Sequence, residues 1–439
     1  MSDRSDLAAR LSSSRALAGA GALLLPALLA LRLPGALDGQ DSVNFALGLS
    51  DFDPQLEQPH FPGYPVYIAL CRLLALAGCS DALALALPGV LASAALVPAL
   101  LRLSRRLEVP ATTRALSLLL LAAQPLVWLE GPRPIPDLLA TSCAWVSLAL
   151  VAERRGIAAG IVLGLALGVR VDLLPLSVVV FVLPRGARLR FAAGLALGVA
   201  VWLPPFVSAL APGGLDRGVR FAIGHFSVWG STALSGAGTG GAARGLAFGL
   251  AAPVLPALAL LGAFRAPAAL GRFLAIALGP YTVWVLLGQN LESPRHFLPL
   301  APALALLAAS AVASFERKPL RASALAAVAL CALALPVLAR PSHPDGRELL
   351  EQVQDACRDC AAIFAGSSER VLSHYAPAGA PFYRRRDVEE VRRDLRAWPD
   401  LAGRVGITSE LAGSAGLGVE AAEVASGLAL YRIDAAALR

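Results

Sequence analysis

Charged residues are scarce in this chain of 439 residues: 16% are Asp, Glu, Lys or Arg, whereas 56% are hydrophobic and the mean hydropathy is +0.64. A soluble domain contains roughly 45–50% apolar residues. The shortage of charge therefore excludes an ordinary soluble protein and predicts a polytopic membrane protein.

Lysine is almost absent, since Lys318 is the only one and the net charge of +7 comes from arginine. Against an Ala/Leu/Gly-rich background, this bias is typical of a GC-rich bacterial genome. The arginines lie between apolar runs, where they report membrane orientation. The positive charge therefore does not indicate nucleic acid binding.

Cysteine is also rare, and two of the six cysteines, Cys143 and Cys331, fall inside apolar runs. This placement does not imply a disulfide framework. Cys357 and Cys360 form a lone CxxC, which we interpret as a chance pair, with a local disulfide as the alternative; the further ligands of a metal site are not found.

No convincing cleavage site follows the first apolar run, so we interpret that run as an anchor.

Eleven long apolar runs predict about 11 transmembrane helices. They are 16–33, 82–101, 115–129, 137–152, 156–169, 173–183, 191–210, 246–263, 270–288, 297–314 and 321–339. A twelfth run, 63–79, carries Arg72 at its middle and is interpreted as a helix in the outer interface.

The positive-inside rule supports this topology, because one extra crossing would reverse every later loop. With 63–79 outside, all of the Arg-rich loops are cytoplasmic. Their residues are Arg102, Arg105, Arg106, Arg114, Arg154, Arg155, Arg185, Arg188, Arg190, Arg265, Arg272, Arg317, Lys318 and Arg321.

The chain is thereby divided into three parts. We expect residues 1–15 to be a cytoplasmic N-terminus and 16–339 to be the transmembrane domain, with a first external loop at 34–81 and a flexible external loop at 211–245, which shows no helical pattern. Residues 340–439 have mixed polarity and predict a small α/β domain on the external, periplasmic side of a bacterial inner membrane.

Within that domain we expect an amphipathic segment near Asp345–Phe364, a strand at Arg370–Tyr375, a helix near Asp387–Trp398 and a last strand at Leu428–Ile433.

The runs 156–169 and 173–183 are short for a bilayer. At about 1.5 Å per residue they reach roughly 21 and 16 Å, against an apolar core of roughly 30 Å. Their shared turn, which contains Arg170 and Asp172, is therefore expected to lie in a dent below the outer surface. The two charges either pair with each other to close the turn or bind an anionic ligand.

Acids, histidines and arginines converge on the predicted outer face. They are Asp38, Asp41, His60, Arg133, Asp137, Arg170, Asp172, His225, Glu292, Arg295 and His296. Glycosyl transfer needs a carboxylate to take the acceptor proton and cationic groups to hold a departing phosphate. An outer-facing phosphate donor implies a lipid-linked sugar, because nucleotide sugars are not expected there.

Several of these residues stand in motifs. An Asp opens the first external loop, Pro59-His60-Phe61-Pro62-Gly63-Tyr64-Pro65 begins the interfacial helix, Asp137 opens one span, and Arg295-His296-Phe297-Leu298-Pro299 opens another. Over about 30–340, this pattern resembles the GT-C superfamily, in particular the protein O-mannosyltransferases of family 39, the aminoarabinose-transferase-like group and related bacterial families with a His-Pro-Pro-Gly-Tyr-Pro loop.

The resemblance implies an inverting glycosyltransferase that moves a hexosyl or pentosyl group from a polyprenyl-phosphate sugar to a protein, lipid or polysaccharide on the external face. It implies a first-loop general base, which is either Asp41 or Asp38, since Ser42 stands where the mannosyltransferases have a second acid. Asp137 is the further catalytic candidate. The candidates for binding the substrate or its phosphate are His60, Tyr64, Arg170, His225, Arg295 and His296.

The resemblance also allows a divalent metal beside the acids, although no ligand spacing requires one. Structural roles remain alternatives: Asp41 as a helix N-cap, His60 as a turn residue, Asp137 as a first-turn Asp, and His225 as an interfacial loop residue. The rival functions are a lipid-linked-sugar flippase or other transporter, and a receptor or scaffold acting through its C-terminal domain.

Overall fold

The computed structural model describes residues 23–210, 212–226, 232–233, 254–291, 293–320, 322–323, 326, 346–366, 368–377, 379–385, 387–398, 401–411, 413–417, 421–425 and 428–438. The chain forms two compact units. One contains Met1–Leu33 and Gly48–Leu338, and the other contains Pro34–Leu47 and Ala339–Arg439. Part of the predicted first external loop thus groups with the C-terminal residues.

The first unit is built from helices, as the apolar runs predict. In chain order, α1 (Gln40–Ser50) comes first and lies mostly in the second unit. The described helices of the first unit are α2 (Pro65–Leu76), α3 (Asp81–Arg106), α4 (Ala111–Ala122), α5 (Pro125–Glu130), α6 (Asp137–Ala152), α7 (Gly156–Val169), α8 (Arg185–Ala209), α9 (Gly214–Gly224), α10 (Val254–Ala263), α11 (Ala268–Gly288) and α12 (Ala301–Ser314), with 3₁₀-helices at Pro54–Leu56, Val171–Val182 and Pro294–Leu300.

Among the described residues, four helical stretches are long and apolar enough to cross a membrane: Asp81–Arg106, Arg185–Ala209, Ala268–Gly288 and Pro294–Ser314. Shorter apolar helices fill most of the other predicted runs, and α6 and α7 begin and end where the sequence predicts. The run 115–129 is divided into α4 and α5, with Pro125 opening the second helix. The runs 16–33, 246–263 and 321–339 lie partly outside the described residues.

Glycine brings α7 and α8 into close contact. Gly156, Gly160, Gly164 and Gly168 recur every four residues along one helix face, and a Cβ on Gly164 would lie 2.9 Å from the Cα of Gly198. Small residues at this spacing let two helix backbones approach closely. The stripe therefore fixes α7, whose C-terminal cap is Arg170.

Two predictions in the first unit are wrong. The segment 211–245 contains α9, whose Gly218 and Phe221 pack against Phe61, so its described part includes a regular helix. The run after Arg170 is a 3₁₀-helix of 12 residues, Val171–Val182. At about 2.0 Å per residue it spans about 24 Å, so the length calculated with an α-helical rise was too short.

The second unit contains a mixed sheet, as the α/β prediction requires. Its strands are β1 (Cys360–Ala365), β2 (Phe382–Arg384), β3 (Arg404–Thr408), β4 (Ala421–Ala425) and β5 (Leu428–Asp434), in the order β2-β1-β3-β5-β4. β1 pairs in parallel with β2 and β3, whereas β5 is antiparallel to β3 and β4.

Besides most of α1, the described α-helices of this unit are α13 (Gly346–Ala356), α14 (Ser368–Tyr375), α15 (Val388–Ala397) and α16 (Ala435–Leu438). Phe364, Val391 and Ile407 are fully buried in its apolar core. The predicted α15 and last strand are confirmed. The predicted strand at Arg370–Tyr375 is wrong, because these residues form α14, whose first N–H, on Ser368, donates to the carboxylate of Glu410 at 3.1 Å. Cys357 and Cys360 form a disulfide with Cα atoms 5.2 Å apart, so the interpretation as a chance pair is wrong and the alternative of a local disulfide is confirmed.

Candidate functional site

Arg170 is the centre of a buried polar network in the first unit. Its side chain is 7% exposed, and its Nη1 forms an ion pair with Oδ1 of Asp137. Its Nε donates to Oδ2 of Asp172 at 3.2 Å, and its Nη2 lies 2.6 Å from Nδ1 of His296. Asp137, Arg170 and His296, which are far apart in sequence, therefore meet in one network.

The elements around Arg170 explain this convergence. Asp137 lies in the first turn of α6, where its negative charge is favourable near the helix N-terminus. Arg170 lies between α7 and the following 3₁₀-helix in an extended conformation, with φ −158° and ψ 109°. Its backbone N–H still bonds to Ala166, so the last turn of α7 holds the residue in place.

His296 is held by its own main chain. The Tyr281 hydroxyl donates to the carbonyl oxygen of His296 at 3.0 Å, and Nε1 of Trp145 donates to the carbonyl of Pro299 at 2.9 Å. Because a guanidinium can only donate, Nδ1 of His296 accepts, and the proton of a neutral imidazole lies on Nε2. The imidazole of His296 therefore has its Nε2–H donor on the side of the ring away from Arg170.

The network keeps some hydrogen-bonding capacity. A guanidinium has five N–H donors, and the contacts described for Arg170 use three of them. Asp137 is 2% exposed, and its Oδ2 is buried without a hydrogen-bond partner in the described part of the chain. A buried carboxylate oxygen is costly to leave unpaired, so a ligand that supplies a donor would be stabilised here.

His60 and Tyr64 form a second pair in the first unit. Nε2 of His60 lies 2.9 Å from the Tyr64 hydroxyl, and their rings meet edge to face. The Gln58–Pro59 and Phe61–Pro62 peptide bonds are cis, and Tyr64 has a φ of 49° immediately before α2. Tyr64 also lies within electrostatic range of the Arg170 guanidinium.

The other predicted residues are placed as follows. Arg295 is half-buried and adjacent to His296 in the 3₁₀-helix Pro294–Leu300, and Arg133 pairs with Glu130 at 2.7 Å. His225 caps the C-terminus of α9 and contacts the ring of Phe226. Glu292 lies outside the described residues.

Asp38 and Asp41 belong to the second unit. Asp41 lies in the first turn of α1 and is partly exposed. Oγ of Ser42 accepts from the N–H groups of Asp38 and Gly39, each at 3.1 Å, which fixes the turn that leads into the helix. Asp41 is thus a first-turn residue of the helix that Ser42 stabilises.

No family model matches the sequence, and no curated protein matches it significantly. Solved structures do resemble it. The crystal structure of ArnT from Cupriavidus metallidurans bound to undecaprenyl phosphate has a TM-score of 0.53 with this chain, at 14% sequence identity, over 97% of each chain. The chain has the ArnT-like fold. The apo state of the same ArnT covers 98% of each chain at 14% identity, with a TM-score of 0.46.

The ArnT-like fold agrees with the GT-C-like fold class that the sequence motifs indicate, and four helical stretches among the described residues are long and apolar enough to cross a membrane. In the described residues, no group of three or more His, Cys, Asp or Glu side chains is arranged to hold a metal ion. Among these described residues, the donor set therefore does not fit the divalent metal that the GT-C resemblance allows.

Sequence reasoning missed Tyr281 and Glu130. Tyr281 lies inside an apolar span directly after Pro280, and its hydroxyl donates to the carbonyl oxygen of His296. A buried tyrosine hydroxyl usually needs a partner, which is the one hint the sequence offers. Glu130 lies between the predicted runs 115–129 and 137–152, and it forms an ion pair with Arg133 three residues later.

Proposed function

We propose that this protein is a membrane glycosyltransferase that moves a sugar from a polyprenyl-phosphate donor to an acceptor hydroxyl or amine on the external face, with inversion at the anomeric carbon. The observation that carries this proposal is the buried Arg170 network, in a chain with the fold of an ArnT that binds undecaprenyl phosphate. Fold alone supports many chemistries, so the argument depends on the site.

Arg170 has the donors that a leaving phosphate needs. Arginine binds phosphate through two parallel N–H groups, and two of the five donors of Arg170 remain beyond the described contacts. A guanidinium already held by Asp137 and His296 needs no reorganisation when charge develops on the departing oxygen. Arg295 and the Nε2–H of His296 would add positive potential and a donor.

The proposed reaction is a single displacement. Asp41, or Asp38 if it is the base, takes the acceptor proton, and the acceptor oxygen or nitrogen forms a bond to C1 of the sugar. The bond between C1 and the phosphate oxygen breaks, its electron pair stays on the phosphate, and polyprenyl phosphate leaves. Asp137 holds Arg170 and offers its Oδ2 to a substrate hydroxyl.

The test uses the purified protein in detergent with a panel of radiolabelled undecaprenyl-phosphate sugars and measures release of the sugar. Wild type is expected to turn over at least one donor, and Asp41→Asn or Asp38→Asn is expected to abolish turnover. Asp51→Asn is the matched control, because Asp51 is an exposed acid later in the predicted loop. If no donor is turned over, or if both base variants are fully active, the transferase proposal fails and the transporter alternative takes its place.

A further inference from the structure

The main chain of Leu37, directly before Asp38, is held at both of its polar groups within the second unit. Its N–H donates to the Tyr375 hydroxyl at 2.6 Å, and its carbonyl oxygen accepts from the N–H of Gly346 at 3.0 Å. Leu37 itself is 1% exposed. These contacts join residues more than 300 positions apart in sequence.

Two arginines of the same unit hold the start of α1. Nη1 of Arg370 donates to Oδ1 of Asn44 at 2.6 Å, and Asn44 is 2% exposed. With the Gln40 amide oriented so that its oxygen faces the guanidinium, Arg384 donates to it at 2.9 and 3.2 Å. Hydrogen bonds from a charged donor contribute more to stability than neutral ones.

Tyr375 is itself fixed. The guanidinium of Arg347 lies 5.6 Å from its ring centroid, and the His374 ring meets it edge to face at 4.9 Å. Gly346 packs so closely that an added Cβ would lie 2.7 Å from Cγ1 of Val371, in the same helix as Tyr375. The hydroxyl that accepts from Leu37 therefore has a defined position.

The four contacts bracket the two acids. Leu37 precedes Asp38, Gln40 precedes Asp41, and Asn44 follows Asp41 by three residues, so Asn44 and Asp41 are neighbours on the surface of α1. We call Gly346, Arg370, Tyr375 and Arg384 the clasp. A segment held at both ends and at one helix turn has little freedom to move its carboxylates.

We propose that the clasp positions the first-loop acids for catalysis, and that Arg370 and Tyr375 are positioning residues of the transfer reaction. This inference rests on the proposed function. The C-terminal unit then has a defined role: it orders the segment that carries the base. A displacement of about 1 Å at a catalytic group can cost about 100-fold in rate.

The experiment compares Tyr375→Phe, Arg370→Ala and Arg370→Lys with wild type by two independent readouts. The first is hydrogen–deuterium exchange of peptides covering 34–47, and the second is kcat and KM for the radiolabelled undecaprenyl-phosphate sugar that wild type uses. Arg358→Ala is the matched control, because Arg358 is an exposed arginine of the same unit paired only with Asp355 in the contacts described.

We expect Arg370→Ala to increase exchange in 34–47 and to lower kcat by about 10- to 100-fold, with KM for the donor changed less than about twofold. Arg370→Lys should recover part of both effects, since lysine can donate one hydrogen bond to Asn44. Tyr375→Phe should act in the same direction, and Arg358→Ala should leave both readouts at the wild-type level.

Three results would overturn the inference. Unchanged exchange in Arg370→Ala and Tyr375→Phe would show that the clasp does not order the segment. Increased exchange with unchanged kcat would show that the order has no catalytic role. Absence of wild-type turnover with every donor would instead remove the proposed function, and the exchange data would still decide whether the clasp holds the segment.

Discussion

At the scale of single residues, Arg170 holds together the buried polar network of the first unit. A guanidinium that is 7% exposed must be paired, because an isolated buried charge costs several kcal/mol. Asp137 and Asp172 supply the counter-charge, and His296 supplies a neutral acceptor. The contact between Arg170 and Asp172 that would close the turn is present. It uses only one of the five N–H donors of the Arg170 guanidinium.

Arg170→Gln should therefore affect both stability and turnover. Leaving Asp137 without its partner is expected to destabilise the protein by about 3–5 kcal/mol, visible as a lower Tm in detergent. The double variant Arg170→Gln with Asp137→Asn removes both charges and should recover most of the stability.

Turnover should not recover in that double variant, because the phosphate-binding donors remain absent. Turnover of the double variant at the wild-type level would show that the network only stabilises the fold. Arg272→Gln provides a control for loss of one arginine from the first unit.

The sequence identified Asp137, Arg170 and His296 as candidates because charged residues at the ends of apolar runs are rare and costly. It could not show that they meet, since the pairing depends on how α6, α7 and the 3₁₀-helix at Pro294–Leu300 pack. Tyr281 was missed because a tyrosine inside an apolar span has no distinguishing pattern. The partners of Leu37 and Asn44 were missed because they lie more than 300 positions away in the sequence.

At the scale of elements, the glycine stripe between α7 and α8 is the most sensitive contact. Gly164→Val should displace the helices, because a Cβ at this position would already lie 2.9 Å from the Cα of Gly198. Overpacking of this kind costs about 1–3 kcal/mol and should lower the Tm. Gly271→Val is the matched control, since nothing lies within 4 Å of its added Cβ. Equal Tm values for both variants would contradict the close packing.

A second element contact links α3 and α6. Arg102 donates to Glu153, which caps the C-terminus of α6, through two bonds of 2.7 and 2.6 Å. These hydrogen bonds lower the pKa of Glu153 from its usual value. A lowered folded-state pKa means that the contribution to stability is present above about pH 4.5 and is lost as the pH falls below it.

Glu153→Gln should therefore lower the Tm slightly at pH 7, since an ion pair that is half exposed on one side contributes at most about 1 kcal/mol. The difference from wild type should shrink as the pH is lowered and Glu153 becomes protonated. Glu108→Gln, at an exposed glutamate near the end of α3, is the control. A difference between wild type and Glu153→Gln that is independent of pH would contradict the assignment.

Helices were predictable where apolar runs end in charged residues, as at both ends of α6. Two short helices, α9 and α14, were not predicted. Arg370–Tyr375 reads locally as a strand, whereas Glu410, about 40 positions away, supplies the acceptor for the first N–H of α14. In 211–245 the turn-rich composition obscured α9, whose packing on Phe61 has no local signature.

At the scale of the whole molecule, the arginine distribution predicts eleven crossings and termini on opposite sides of the membrane. An N-terminal tag should resist protease in intact spheroplasts, and a C-terminal tag should be digested. Inverted vesicles should show the reverse pattern. Digestion of both tags on the same side would mean an even number of crossings, as expected if Pro65–Leu76 also spans the bilayer.

The 3₁₀-helix Val171–Val182 also affects how this chain can be aligned with relatives. An α-helix needs about 16 residues to cover the roughly 24 Å that these 12 residues cover. A homologue that is α-helical here should therefore carry about four additional residues after the counterpart of Arg170. An alignment without that gap would match Arg170 correctly and then assign every following residue to the wrong helical turn.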